Sequence, residues 1–221
     1  MPGHAVAVVG VGFGNLGVWE RVTAEFDPVY TYLRQLTTPV AAITTSAGGR
    51  RNGLIVNSAQ RASLVPSIPR LSLYISKPAF THDLIYTSGV FALHLLRNDQ
   101  WGVIHKLGFE SGRDQGDKLA DFETVQGVTG CPLLKDCIAG FECKVVNAMD
   151  TGASTFFLGD VINVLDGTPG PVMTSEYFRE HLTAEWKERY EANLHAAGVY
   201  LEALTRQIDR TRLWPGPVVG P

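Results

Sequence analysis

The chain is poor in the residues that mark several protein classes. It holds only three cysteines, Cys131, Cys137 and Cys143, among 221 residues. The number is odd and no paired C-x-x-C occurs, so neither a disulfide framework nor a four-ligand zinc site is indicated, and free buried or half-buried thiols are expected. Charged residues make up 19% and the formal net charge is −3, which gives no electrostatic case for nucleic acid or an anionic membrane. No apolar run approaches the roughly 20 residues that span a bilayer. The apolar patch at residues 5–11 lacks a basic flank and a cleavage site, so a cytoplasmic protein is expected. What is present, 45% hydrophobic residues, describes a globular chain with a sizeable core, sized for one domain and an appendage.

Gly12-Phe13-Gly14-Asn15-Leu16-Gly17 matches G-x-G-x-x-G and follows a strand-like run at residues 6–9. A dinucleotide fold also needs a second parallel strand with an acidic residue about 20 positions on. Instead, Asp27-Pro28 opens a helical face of Phe26, Val29, Tyr30, Leu33 and Leu36, with Asp suited to the N-cap and Pro to the first turn. A glycine-rich turn or arm accounts for the motif better than a Rossmann unit.

Four short runs rich in branched and apolar residues lie at 40–45, 53–58, 71–76 and 90–96, punctuated by Gly, Pro, Asn and Ser, and read as strands. Parallel strands need crossovers of about a dozen residues, so these short joins demand antiparallel pairing. A closed or nearly closed barrel also removes exposed sheet edges. Two further strands, 141–149 and 155–165, are joined by the turn-rich residues 150–154. Short helices are expected at 81–88, closed near Gly89, and at 99–109. In the strand around 54–58, alternation places Leu54, Val56 and Ser58 on one face, with Ile55 and Asn57 on the other.

The order TPVAAITT, a glycine turn, NGLIVNS, a Ser/Pro bend, THDLI, SGVFALHLL, DKLADF, TGCPLLKDC, FECKVV and TFFLGDVINV resembles the flavin reductase-like FMN-binding split barrels over about residues 29–165. The NGLIVN and THDLI segments are most similar to members serving as electron-transfer modules beside rubredoxin or di-iron proteins. The resemblance implies a mainly β fold with flanking helices (α+β), an antiparallel split β-barrel, and a long C-terminal helical extension. Its boundaries would be an arm at 1–26, the flavin-binding barrel at 27–170, the extension at 171–214 and a tail at 215–221. It also implies that Leu54, Ile55, Val56, Asn57, Ser58, Ala59 and Gln60 run along the flavin ring and ribityl chain. Ser63, Lys77 and Thr81 would lie towards the phosphate, with His82 against flavin or nicotinamide. Each also has a plainer reading: Asn57-Ser58 as a strand end, Lys77 as a solvated loop lysine, Thr81 as a helix N-cap, and His82 as a surface histidine.

Two departures stand out. Many of these reductases carry Gly-Asp-His before the last long strand, where this chain has Gly152-Ala153-Ser154. The usual Phe-Thr-Ser-Val-Ser after Asn-Ser is replaced by Ala59-Gln60-Arg61-Ala62-Ser63. Both leave flavin binding in place and bear on the electron donor.

From Thr174 to Leu213 the apolar stripe Phe178, Leu182, Trp186, Tyr190, Leu194, Leu201, Leu204 and Ile208 reads as one long helix or two in series. Thr174 or Ser175 would cap it and Gly198 would break it. Such a stripe suits core or subunit packing, and the resembled barrels dimerise with flavin near the interface, so a homodimer is expected. The implied activity is an FMN-binding oxidoreductase with FAD as the alternative flavin. It would use NAD(P)H as cosubstrate and pass electrons to a monooxygenase, a ferric complex or a redox protein. No metal, nucleic acid or membrane partner is expected. The rival reading is a flavoredoxin-like electron carrier with no direct NAD(P)H oxidation; a flavin or haem-type binder without turnover is a third. No catalytic dyad or triad emerges, and Asp83, Asp117 and Asp121 read as surface or capping groups.

Overall fold

A computed structural model describes residues 38–113 and 116–205. The glycine-rich motif at 12–17, the helical face at 26–36 and the chain beyond 205 lie outside the described residues. Seven strands form one antiparallel sheet in the order β2-β1-β5-β8-β9-β4-β3. These are β1 (Ala41–Ala47), β2 (Arg50–Val56), β3 (Gln60–Arg61), β4 (Arg70–Ser76), β5 (Val90–Leu95), β8 (Ala139–Asp150) and β9 (Ser154–Asp166). A two-stranded ribbon, β6 (Thr124–Gln126) with β7 (Pro132–Leu134), lies beside it.

Local chemistry explains the pairings. β1 and β2 are joined by Gly48 and Gly49, both at positive φ (56° and 76°). A two-residue hairpin turn matched to the strand twist requires that backbone at both positions, which glycine adopts without strain. The sheet curls until the edges of β2 and β4 approach each other without a hydrogen-bonded ladder between them. There Ser58 bridges the split: its Oγ donates to Tyr74 O at 2.9 Å and accepts from Tyr74 N at 3.3 Å. The fold is an antiparallel split β-barrel.

Alternation gives the barrel two apolar faces. Inside, Ile43, Val56, Leu73, Ile75, Phe91, Cys143 and Phe157 are buried together, with Leu54 against them. Outside, Val40, Ala42 and Ile55 meet helix α2 (Trp101–Phe109) through Val103, Ile104 and Leu107. Leu54 and Val56 thus face inward and Ile55 outward, as their alternation indicates. Each fully buried aliphatic or aromatic side chain contributes about 1.5–3 kcal/mol.

Helix α1 (Phe80–Ser88) closes one end of the barrel with Leu84 and Ile85 buried. It ends where Gly89, in the left-handed region, donates its N–H to Ile85 O at 2.8 Å. Helix α3 (Ser175–His181) is capped by Thr174, whose side chain accepts from Tyr177 N. Helix α4 (Ala184–Thr205) follows. The extension is therefore two helices in series.

Two expectations need correction. Thr81 is not an N-cap: the helix begins at Phe80 behind Ala79, and Thr81 is buried inside the first turn. Gly198 does not break the extension, because α4 runs straight through it.

Candidate functional site

A cavity of about 970 Å³ opens beside the split, at the upper end of the roughly 300–1,000 Å³ usual for small-molecule sites. Its floor follows from strand register. Ala41 pairs with Leu95, Leu93 with Phe141, and Phe141 with Val164, so one apolar row crosses four neighbouring strands. Leu64, Val65 and Pro66, on the connection from β3 to β4, form a wall. The polar rim consists of Thr38, Gln60, Ser63, Asn163, Arg61 and Arg70. A planar ligand with a hydrophilic edge matches this lining, the ring on the apolar row and the polar edge at the rim.

The structure divides the sequence-selected residues into three places. Ala59, Gln60 and Ser63 line the cavity. Leu54, Val56 and the Ser58 bridge underlie it, and Asn57 O accepts from Thr38 Oγ1, fixing the exit of β2. Ile55 points to α2, so only its backbone faces the same way.

Lys77, Thr81 and His82 form a separate shoulder at the start of α1. Lys77 Nζ lies 2.7 Å from Asp150 Oδ1, and that neighbour, with the Gly152 N–H, holds the Asp150 carboxyl below its ordinary range. Asn52 Nδ2 donates to Thr81 Oγ1 at 2.9 Å in a buried contact. His82 is not a surface histidine. It is 9% exposed, with Nε2 2.8 Å from Thr155 Oγ1, Nδ1 3.3 Å from Asp83 Oδ1, and the ring stacked on Tyr86. Asp83 in turn receives Arg113 Nη2 at 2.7 Å.

Sequence reasoning passed over two buried polar groups. His94 is fully buried on β5; its Nδ1 lies 3.3 Å from Ala42 O and its Nε2 accepts from Leu134 N at 3.1 Å. Burial pushes its pKa down to about 4. Glu142 on β8 is 1% exposed. Its carboxylate accepts from Val128 N, Thr129 N, Thr129 Oγ1 and Asn163 Nδ2 at 2.5–3.0 Å. Burial alone pushes this carboxyl up, but the four hydrogen bonds outweigh it and the pKa lies below the ordinary value. The only signal in the sequence was a polar residue among the apolar residues of a strand; both side chains lie on the outer face of the barrel, beneath residues 127–134. Neither group lines the cavity. The three cysteines are free and buried, and burial raises their thiol pKa values, Cys137 to about 11, so the thiolate form is disfavoured.

The class that the structure defines is a split barrel with a broad apolar cavity and a polar rim. Residues 33–184 match the family model described as "Flavin reductase like domain", and the chain belongs to that family. It is similar to a ferric-chelate reductase (NAD(P)H) of Archaeoglobus fulgidus, 26% identical over 155 residues, covering 69% of this chain and 89% of that one. Among solved structures, flavoredoxin from Methanosarcina acetivorans superposes with a TM-score of 0.55 at 22% identity, over 67% of this chain and 76% of that one. The NADH:FAD oxidoreductase of Streptomyces globisporus, in complex with NAD and FAD fragments, gives 0.59 at 25%, over 68% and 92%. The chain spans only 20–44% of the length of several other curated relatives it matches.

Proposed function

We propose that this protein is an NAD(P)H-dependent flavin reductase that holds FMN, with FAD as the alternative, and delivers electrons to a further acceptor. The observation that carries it is the apolar row Leu93–Phe141–Val164 beneath a polar rim that includes Gln60 and Ser63. When bound, the flavin supplies the hydride- and electron-accepting chemistry, and the protein binds, orients and tunes it. Leu54 and Val56 support the site from the barrel interior, while Ile55 contributes backbone. Asn57, Ser58 and Ala59 hold the β2 exit along the ring edge. Lys77, Thr81 and His82 fix the shoulder next to the β8–β9 hairpin, where His82 is held by Thr155. The ferric-chelate and NADH:FAD activities in the relatives' names support a nicotinamide donor.

Exposed Ile162 and Val164 line the cavity. A second copy covering them would exclude water from the site, which supports a homodimer; light scattering at micromolar concentration showing a monomer overturns that assignment.

One observation favours the electron-carrier reading instead. At the hairpin, Ala153 O accepts from Lys77 N at 3.0 Å, and the tip offers no imidazole of its own. The two readings separate in one experiment: absorbance of the flavin-loaded protein during anaerobic addition of NADH and then NADPH. Bleaching by either nucleotide supports the reductase. Persistence of the oxidised band with both supports a carrier fed by a redox protein, and failure to take up any flavin defeats both.

A further inference from the structure

Two cations and no carboxylate line the cavity among the described residues, although the whole chain carries a net charge of −3. The charge of Arg70 is already matched, its Nε lying 2.6 Å from Asp160 Oδ1. Arg61 is different. It lies on the exposed edge strand β3 and makes no ion pair or side-chain hydrogen bond among the described residues. Its backbone partner across the ladder is Leu71, a cavity-lining residue. Cross-strand partners share a face of the sheet, so the guanidinium stands on the cavity side. Lys77, the other cation suggested for a phosphate, is bound to Asp150 and does not line the cavity, while Thr81 is closed beneath Asn52.

An unmatched guanidinium above an apolar floor is an anion-selective feature. The fork of donors suits phosphate oxygens, and because Arg61 is exposed its pull on an anion is sensitive to salt. We infer that Arg61 is a specificity-determining residue of this site and reads a phosphate ester carried by a planar heterocyclic ligand. The inference rests on the flavin assignment above. Two sources share that chemistry: the terminal phosphate of FMN and the ribose 2′-phosphate of NADPH.

The test uses the full chain as wild type and as Arg61→Ala, Arg61→Lys and Lys77→Ala. Flavin fluorescence titrations give dissociation constants for FMN and riboflavin, and steady-state assays give KM for NADPH and NADH. The expected result is that wild type prefers one phosphorylated ligand to its unphosphorylated analogue by about tenfold, the scale of one charge-assisted hydrogen-bond pair. Arg61→Ala should abolish that preference while leaving affinity for the unphosphorylated analogue unchanged. Arg61→Lys should retain most of it, and added salt should erode it. Whichever pair changes identifies the source. The inference is overturned if Arg61→Ala leaves both preferences intact, if it weakens phosphorylated and unphosphorylated ligands equally, or if Lys77→Ala alone removes the preference. Wild type that binds neither FMN nor riboflavin would defeat the flavin assignment and this inference together; binding of both without an Arg61 effect defeats the inference alone.

Discussion

His94 accepts a hydrogen bond from the backbone N–H of Leu134 at 3.1 Å. That bond requires an unprotonated Nε2, while Nδ1 faces Ala42 O at 3.3 Å, so the neutral ring with its proton on Nδ1 fits the site and the cation does not. Burial lowers the folded-state pKa from 6.5 to about 4. A depressed pKa contributes stability above the unfolded value that is lost as pH falls towards the folded one. Stability should therefore drop between about pH 6.5 and 4, by on the order of 3 kcal/mol from this group. Urea midpoints across that range test it. His94→Gln should be less stable than wild type at pH 7.5, and the gap should close by pH 4.5. A constant gap would contradict the assignment.

Glu142 ties β8 to residues 127–129, the turn that leads into β7, with Val128 N and Thr129 N both donating to its carboxylate. Glu142→Gln would turn an amide NH₂ towards one of those donors, and Glu142→Ala would leave these part-buried donors without their acceptor. Loss of about 2–3 kcal/mol is expected for the Ala variant, which is a melting-temperature fall of about 4–12 °C at this chain length. Because the folded-state pKa lies below the ordinary value, the wild-type contribution is present above the unfolded carboxyl pKa and fades as pH falls below it. The Ala variant should lose that acid-range slope. A variant melting within 1 °C of wild type (about 0.3 kcal/mol at this size) would show that water replaces the carboxylate without cost.

Local chemistry made much of this fold readable. Branched residues marked the strands, Gly48-Gly49 marked the first hairpin, and Thr174 announced a helix that it does cap. The flank of Leu54 and Val56 against that of Ile55 followed from the two-residue period alone. The long-range facts were different in kind. Arg61 gains meaning only because Arg70 is paired with Asp160 and Lys77 with Asp150, 90 and 73 residues away in sequence. His94 and Glu142 are polar residues in apolar strands, and only their partners reveal why burial is tolerated. Thr81 looked like a cap because threonine favours that position, yet helix α1 starts one residue earlier and Asn52 supplies the partner of its hydroxyl.

Trp186, with Tyr190 beside it, packs α4 against the core. Its ring stacks on His105 at 3.8 Å and meets Phe109 edge-on at 4.7 Å, while the Arg189 guanidinium lies 4.9 Å above it. Trp186→Ala should cost about 2–3 kcal/mol, below the usual range for a fully buried aromatic because the ring is half-buried. Burial lowers the His105 pKa, with Arg189 adding to the effect. This contribution is therefore present above pH 6.5 and is lost as pH falls below it. Protection factors against hydrogen exchange along α4, which correct for the intrinsic pH dependence of the amide rate, should fall in the variant at pH 7.5 and in wild type on acidification. Unchanged exchange in the variant would move the docking elsewhere.

Gly198 tests the correction to the extension directly. It sits inside α4, its φ lies outside the positive region, and a Cβ there would meet nothing within 4 Å. Glycine in a helix interior costs roughly 0.5–1 kcal/mol relative to alanine through backbone entropy. Gly198→Ala should therefore stabilise α4 by that amount, slowing hydrogen exchange of its second half by about two- to fivefold. The cavity proposed for flavin is lined by other elements, so flavin affinity should not change. Were Gly198 a true break, the Cβ would bring no gain and exchange beyond it would remain fast in both proteins. The sign of one substitution thus decides between a continuous helix and two shorter ones.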